Sequence, residues 1–244
     1  FKMYANESKG ERYPQHKVFL CDNVTIQPWQ TCADMNTIHP EYLSDWNVLI
    51  CPSWSAGKDS IAAWDGGKTT AASWVTQPGH SNDGKLEPCE VIAEPYNYYG
   101  WAFFREPFAT QADYTQFYTE MDTLGTNVQS NPANVDSDYS FATQLQGQST
   151  LYRTREGIER FFITDINNAS ASSKAQSQIV IMHDSVSEEP AHFNHIPGGA
   201  NVLYLDGHVE FVKFTANSLL TGEFPVNGAG FKLHKLTDLD ATNP

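Results

Sequence analysis

One stretch near the C-terminus constrains the fold of this chain more than any other. Residues 195–214 read HIPGGANVLYLDGHVEFVKF, and two β-prone runs, 200–205 and 208–214, are separated there by Asp206-Gly207. This pair between two such runs predicts a β-hairpin with a type I′ turn, which requires positive φ at both turn positions. The first run is almost continuously apolar and the second alternates, so we expect an inner strand paired with a half-exposed one.

The size and charge of the chain limit what it can bind. Its 244 residues, of which 40% are hydrophobic, are enough to bury a core within one domain. Acidic residues number 29 against 15 Lys and Arg, which gives a formal net charge of -14. Because such a chain repels phosphate backbones and anionic membrane surfaces, nucleic-acid binding is disfavoured.

The four cysteines, Cys21, Cys32, Cys51 and Cys89, all lie in the first 89 residues and lack the Cys-x-x-Cys spacing of a zinc or redox site. We therefore expect disulfides and an oxidising compartment. Four cysteines allow three connectivities. We favour Cys21 with Cys32 and Cys51 with Cys89, since each pair closes a local loop within the loop-rich region 18–95.

Hydrophobic periodicity predicts most of the remaining elements. Residues 1–10 have the pattern of the last turns of a helix, with Gly10 placed to end it and no N-cap at its start. No apolar run is long enough to cross a membrane. The other predicted elements are strands at 48–53, 96–104 and 178–182, helices at 111–124 and 150–163, and a polar surface loop at 125–149.

The C-terminal third concentrates residues that bind metals or transfer protons: His183, Asp184, Glu188, Glu189, His192, His195, Asp206 and His208. A speculative transition-metal site combines Asp184, His192 and His195 near one end of the sheet. Asp206 lies too far along the strand to join this site. The strand between the two residues rises about 3.3 Å per residue and separates Asp206 from His195 by about 17 to 20 Å.

Calcium is slightly favoured over a transition metal on charge grounds, because the chain is acidic. Calcium would need oxygen ligands, for which the candidate groups are Asn134, Asp136 and Asp138, and Asp165, Asn167 and Asn168. The chain contains no Gly-x-Ser-x-Gly, His-Glu-x-x-His or phosphate-loop motif. Exposed aromatic rings could stack on sugars, and the candidates are Trp29, Trp46, Trp54, Trp64 and Trp74.

The same C-terminal stretch resembles the signature of the prepilin-type H-X9-DG domain family, which comprises pseudopilin-like subunits found mainly in planctomycete-type bacteria. In that family nine residues separate the His from the Asp-Gly, whereas ten separate His195 from Asp206 here. Segments 2–7, 51–53 and 155–168 also look like elements of the family. The signature residues are His195, Gly198, Gly199, Asn201, Asp206, Gly207 and His208.

The resemblance implies an α+β, pilin-like fold. A single domain over 1–244 would contain the end of an N-terminal helix (1–14) whose start is missing, a disulfide-stapled, loop-rich insertion (18–95) and the signature region (150–214). The helix would pack on an antiparallel β-sheet whose last hairpin is the one described above. The residues singled out in the hairpin would set its turn and allow close backbone approach.

The resemblance also implies a non-enzymatic structural subunit of a periplasmic or extracellular filament associated with the cell envelope, as in type II secretion or pilus assembly. Its partners would be copies of itself or neighbouring filament subunits, the missing helix would insert in the membrane before assembly, and no cofactor would be required. Two alternatives remain open. One is a secreted metal-dependent hydrolase, and the other is a carbohydrate-binding module that uses the tryptophans.

Overall fold

The computed structural model describes residues 1–54, 64–65, 78–81, 83–93, 95–105, 110–145, 148–163, 172, 175–188, 190–196, 198–234 and 236. Within them the chain combines α-helices with antiparallel β-sheets. The helices are α1 (Lys2–Glu7), α2 (Gln111–Ser130), α3 (Ser218–Thr221) and α4 (Gly228–His234). The strands are β1 (His16–Phe19), β2 (Ile26–Ala33), β3 (Tyr96–Phe104), β4 (Tyr139–Leu145), β5 (Gln148–Leu151), β6 (Ile179–Asp184), β7 (Gly199–Tyr204) and β8 (Val209–Lys213).

The central sheet has the order β3-β6-β7-β8, and every neighbouring pair is antiparallel. Strands β3 and β6 are nearly continuously buried because apolar clusters cover both faces of the sheet. Alternation along β3 sends Tyr99 and Trp101 into one cluster and Tyr98 and Ala102 into the other. The predicted strands at 96–104 and 178–182 are confirmed, and the second continues through Asp184.

Helix α2 covers one face of the sheet and confirms the helix predicted at 111–124. Its buried side chains recur at helical spacing: Tyr114, Phe117, Met121, Leu124 and Val128. Because this stripe continues to Val128, the helix runs to Ser130 and the predicted loop at 125–149 is wrong. A 3-10 helix (Pro132–Asp136) and the hairpin β4–β5 fill the rest of that segment.

The predicted helix at 150–163 is also wrong. Residues 148–151 form β5, Arg153 bridges Trp101 of β3, and only Ile158–Phe162 forms a 3-10 helix. The guanidinium of Arg153 is buried and donates hydrogen bonds to the carbonyls of Tyr13 (2.8 Å) and Pro14 (2.7 Å). Tertiary hydrogen bonds therefore hold this segment extended, and Gly157 adopts a left-handed conformation (φ 72°) that an α-helix does not allow.

The loop-rich character of region 18–95 is interrupted by the antiparallel pair β1–β2. The strand predicted at 48–53 is wrong, because Trp46–Leu49 forms a 3-10 helix and Val48 is 60% exposed. Asp45 caps that helix by accepting a hydrogen bond from the backbone N–H of Asn47 at 2.9 Å.

The predicted disulfide pairing is wrong, although a disulfide is present. Cys21 is bonded to Cys89, while Cys32 and Cys51 are buried thiols. The β1–β2 hairpin explains the difference, since it places Cys21 in its connecting turn and Cys32 near the opposite end, beside the Val91 carbonyl (Sγ to O 3.6 Å). The six steps along β2 from Ile26 to Cys32 correspond to about 20 Å of strand, a distance that no disulfide spans.

The helix predicted at 1–10 is present as α1, which buries Ala5, but it ends at Glu7 with Ser8 as its C-cap and does not extend to Gly10. The ring of Phe1 packs 4.8 Å from that of Tyr98 on β3. The longest described helix, however, is α2 from the middle of the chain, so the expected arrangement of an N-terminal helix on the sheet is not supported by the described residues. None of the described helices is both long enough and apolar enough to cross a membrane.

Candidate functional site

The C-terminal hairpin is present as β7 and β8, with β8 at the edge of the central sheet. The inner strand is mostly buried and the edge strand half-exposed, as predicted. The turn type is a correction. Only Gly207 has positive φ (95°), and its N–H donates to the Tyr204 carbonyl at 2.9 Å, while the Tyr204 N–H donates to the His208 carbonyl at 3.0 Å. A three-residue loop with a glycine bulge avoids placing Asp206 in the left-handed region.

Gly199 meets a second steric requirement of the hairpin. Its φ is 150°, and a Cβ atom built there would lie 2.1 Å from the carbonyl oxygen of Val212 on β8. Only glycine allows the two strands to approach this closely. This signature position therefore acts through backbone packing.

Two of the polar signature residues, His195 and Asn201, meet Asp184 at the opposite end of β7, where β6 ends. Oδ2 of Asp184 accepts hydrogen bonds from the backbone N–H and the side-chain amide of Asn201, at 2.7 and 2.8 Å. The same oxygen lies 3.0 Å from Nε2 of His195. Asp184 is only 1% exposed, so its carboxylate is held in a fixed position by these neighbours.

Of the three residues proposed to bind a transition metal, the structure brings Asp184 and His195 together but not His192. His192 is buried in the 3-10 helix Pro190–His192, and its ring is not part of this group. Cys51 takes its place, with Sγ 3.6 Å from Nε2 of His195. One ligand atom from each of Cys51, Asp184 and His195 lies within 4.8 Å of the others.

Sequence reasoning missed Cys51 because it assigned that residue to a disulfide. The separation of 144 residues between Cys51 and His195 gives no local pattern that could reveal their contact. The sequence did indicate that Asp184 and His195 lie near the same end of the sheet, but this does not identify the third residue of the cluster.

The protonation of Cys51 decides what the cluster can do chemically. Burial raises the pKa of the Cys51 thiol, and the neighbouring charge of Asp184 acts in the same direction. Burial also raises the pKa of Tyr96, whose phenol is hydrogen-bonded to Cys51, to about 12. A nucleophilic cysteine requires a lowered pKa. Moreover, Cys51 and Asp184 face the same imidazole nitrogen, so the ring cannot relay a proton between them as in a catalytic triad.

The remaining candidates have protein partners of their own. Arg12 forms an ion pair with Asp136, and Arg155 lies 3.3 Å from Asp138, so arginines neutralise two of the proposed calcium ligands. The group Asp165, Asn167 and Asn168 lies outside the described residues, as does Glu189. Asp206 contacts Nδ1 of His208 at 2.6 Å and belongs to the turn.

A second acidic group, Asp65, Asp83 and Glu87, also has internal partners. The carboxylate of Asp65 accepts hydrogen bonds from the backbone N–H groups of Asp83 (3.1 Å) and Gly84 (2.6 Å). Among the tryptophans, Trp46 is half-buried and stacks on His39, and Trp74 lies outside the described residues. The buried ones are Trp29, Trp54, Trp64 and Trp101.

The outer face of the edge strand β8 exposes two large apolar side chains. Val209 is 61% exposed and Phe211 47%. We call these two residues the hairpin face. Ile196, which is 51% exposed and precedes β7, instead lines a cavity of about 320 Å³ together with Phe193 and Phe214, which pack in the cluster that contains Val212.

Comparisons of the chain with family models, with curated proteins and with solved structures find no match. The resemblance to H-X9-DG proteins therefore rests on the quoted residues themselves. Function has to be argued from the geometry of the hairpin and of the cluster at its base.

Proposed function

We propose that this chain is a non-enzymatic structural subunit of a periplasmic or extracellular filament, of the pseudopilin or type IV pilin-like kind. The hairpin face is the observation that supports this function most directly. It places Val209 and Phe211 side by side on the exposed face of an edge strand, in the segment that carries the family resemblance. Neighbouring exposed apolar side chains on an edge strand are compatible with a protein interaction site.

The hairpin face is held in place by the opposite face of the edge strand. Arg105 forms ion pairs with Glu210 of β8 and, at 2.8 Å, with Glu223. Val212 is buried against the core on the same side. Because these contacts fix β8, a neighbouring subunit would meet a preformed surface and lose little conformational entropy on binding.

The occupant that we propose for the hairpin face is a neighbouring copy of this chain. Each copy carries a formal net charge of -14, so long-range electrostatics oppose association. Association between copies then has to come from a locally apolar surface. Added salt should strengthen this association, because salt screens the repulsion between the two negative charges.

The signature residues Gly199, Asn201 and Gly207, with Asp184, support a structural function for this segment. Asp184 and Asn201 bond to each other, Gly199 allows strand contact, and Gly207 closes the turn. The Cys21–Cys89 disulfide is compatible with a non-cytoplasmic, cell-envelope location.

Neither alternative has comparable support. The ring faces of Trp29, Trp54, Trp64 and Trp101 are covered by the protein, which disfavours sugar stacking on them. A hydrolase would need an activated water or nucleophile next to a substrate cleft, and none of Cys51, Asp184 and His195 lines the cavity of about 320 Å³.

Sedimentation velocity tests the proposal on the wild-type chain and on the double variant Val209→Ser/Phe211→Ser. We expect the wild type to associate with rising protein concentration, and more so with added salt, and the double variant to stay monomeric. Val48→Ser, which removes an apolar side chain that is 60% exposed elsewhere, is the matched control and should behave as the wild type. The proposal fails if the wild type is monomeric up to about 1 mM, or if the double variant associates as strongly as the wild type.

A further inference from the structure

We propose that Cys51, Asp184 and His195 form a zinc-binding site. The three residues come from separate segments: the loop after the 3-10 helix Trp46–Leu49, the end of β6, and the loop before β7. Thiolate, imidazole and carboxylate are the three side-chain ligand types that zinc prefers. This site is independent of the filament function proposed above.

The distances within the cluster fit a tetrahedral zinc ion. With Zn–S of about 2.3 Å and Zn–N of about 2.0 Å, tetrahedral geometry separates sulfur from nitrogen by about 3.5 Å. Sγ of Cys51 lies 3.6 Å from Nε2 of His195, which in turn lies 3.0 Å from Oδ2 of Asp184. These two distances are therefore already close to the spacing that the ion requires, and the third, from the Cys51 sulfur to the Asp184 carboxylate, is within 4.8 Å.

A hydrogen bond accounts for only one of the two contacts that Nε2 of His195 makes with Asp184 and Cys51. Nε2 of His195 carries either one proton or one lone pair, yet it faces both the Asp184 carboxylate and the Cys51 sulfur. Oδ2 of Asp184 already accepts two hydrogen bonds from Asn201. A cation placed between the three atoms would satisfy all of them at once.

The neighbours of the cluster orient its ligands. Asn201 acts as a positioning residue, because its two hydrogen bonds fix the direction of the Asp184 carboxylate. Tyr96 is hydrogen-bonded to the side chain of Cys51 and positions the sulfur. Three protein ligands leave the fourth position of the tetrahedron for water.

Zinc at this site would link two distant parts of the chain. The loop at Cys51 would be tied to the ends of β6 and β7, 144 residues further along. On binding, Cys51 releases its thiol proton to solvent and coordinates as the thiolate. The bound sulfur would then be protected from alkylation and oxidation.

Metal stoichiometry and cobalt substitution test the site on the full chain. After removal of metal with a chelator, zinc or Co²⁺ is added and the unbound ion removed by gel filtration. We expect one ion per chain and, with Co²⁺, the near-ultraviolet charge-transfer band of a thiolate ligand. Cys51→Ser and His195→Gln should each lose the stoichiometric ion. Asn201→Ala should weaken binding about 10- to 100-fold.

The chain provides matched controls for both ligand types. Cys32→Ser changes the other buried thiol and His208→Gln a histidine of the distant turn, and both should keep the ion and the charge-transfer band. The proposal is overturned if the wild type retains no stoichiometric zinc, if the Co²⁺ spectrum lacks the thiolate band, or if Cys51→Ser binds as Cys32→Ser does.

Alkylation of the wild type decides the question if Cys51→Ser does not fold. Zinc should slow the modification of Cys51, followed by peptide mass spectrometry, and leave the modification rate of Cys32 unchanged. Equal alkylation rates of Cys51 with and without zinc would refute the site.

Discussion

His183 shows how one buried side chain makes stability depend on pH. Nδ1 of its ring lies 2.7 Å from the carbonyl oxygen of Asp184, which can only accept, so Nδ1 carries the proton. Nε2 then accepts from the hydroxyl of Tyr99 at 3.1 Å. Burial disfavours the charged ring and lowers the pKa of His183 to about 4.

We expect the free energy of unfolding to decrease as the pH is lowered from 6.5 to 4, because the pKa of His183 is lower in the folded protein than in the unfolded chain. In that range the unfolded chain takes up a proton that the folded chain does not, and above pH 6.5 neither state is protonated. A shift of this size corresponds to about 3 kcal/mol. Urea unfolding measured across this pH range should show a smaller loss for His183→Gln than for the wild type. An unchanged pH dependence in His183→Gln would contradict this assignment, and the exposed His208→Gln is the control.

At the scale of the element, α2 is specified by its own sequence. The Thr110 hydroxyl accepts a hydrogen bond from the Asp113 N–H at 3.3 Å, and the Asp113 carboxylate accepts one from the Thr110 N–H at 2.7 Å. This capping box satisfies backbone groups that the helix itself leaves unpaired. The apolar stripe from Tyr114 to Val128 then fixes which face packs on the sheet.

Loss of the cap should destabilise the protein. Thr110→Ala removes the side-chain acceptor and should cost about 1 kcal/mol, measured as a shift of the urea midpoint. Thr115→Ala changes an exposed threonine within the same helix and should have a much smaller effect, because alanine is the better helix former. Equal effects of the two variants would mean that the capping box does not stabilise α2.

The elements that were predicted correctly are those in which nearby residues alone show a regular apolar pattern. Helix α2 has an apolar stripe at helical spacing, strands β3 and β6 are nearly continuous apolar runs, and the C-terminal hairpin has its Asp-Gly turn, and each is present. The segment 150–163 has a helical pattern as well, but Arg153 binds carbonyls about 140 residues away. Cys51 meets His195 only through the tertiary fold, so the candidate site was predicted in part.

At the scale of the whole molecule, the Cys21–Cys89 disulfide constrains the first third of the chain. It closes a loop over a sequence separation of 68 and joins the turn after β1 to the 3-10 helix Pro88–Glu90. Long loops lose the most entropy when they are closed in the unfolded state. The observed pairing should therefore stabilise more than the short Cys21–Cys32 loop that we predicted.

Removal of this disulfide should lower the free energy of unfolding by about 4 kcal/mol, the chain-entropy value for a loop of this length. The measurement is urea unfolding of Cys21→Ser/Cys89→Ser against the wild type, and reduction of the wild type should give a similar loss. Peptide mapping of the unreduced protein provides the control on connectivity. A Cys21–Cys32 peptide, or a double variant as stable as the wild type, would contradict the pairing.

The contacts of Arg153 also dictate an order of folding. The carbonyls of Tyr13 and Pro14 are bound by Arg153, and the Tyr13 N–H donates to the Thr154 carbonyl at 3.1 Å. Such non-local contacts form slowly because a long loop must close first. During synthesis, Tyr13 and Pro14 must therefore wait, undocked, until Arg153 and Thr154 have also left the ribosome.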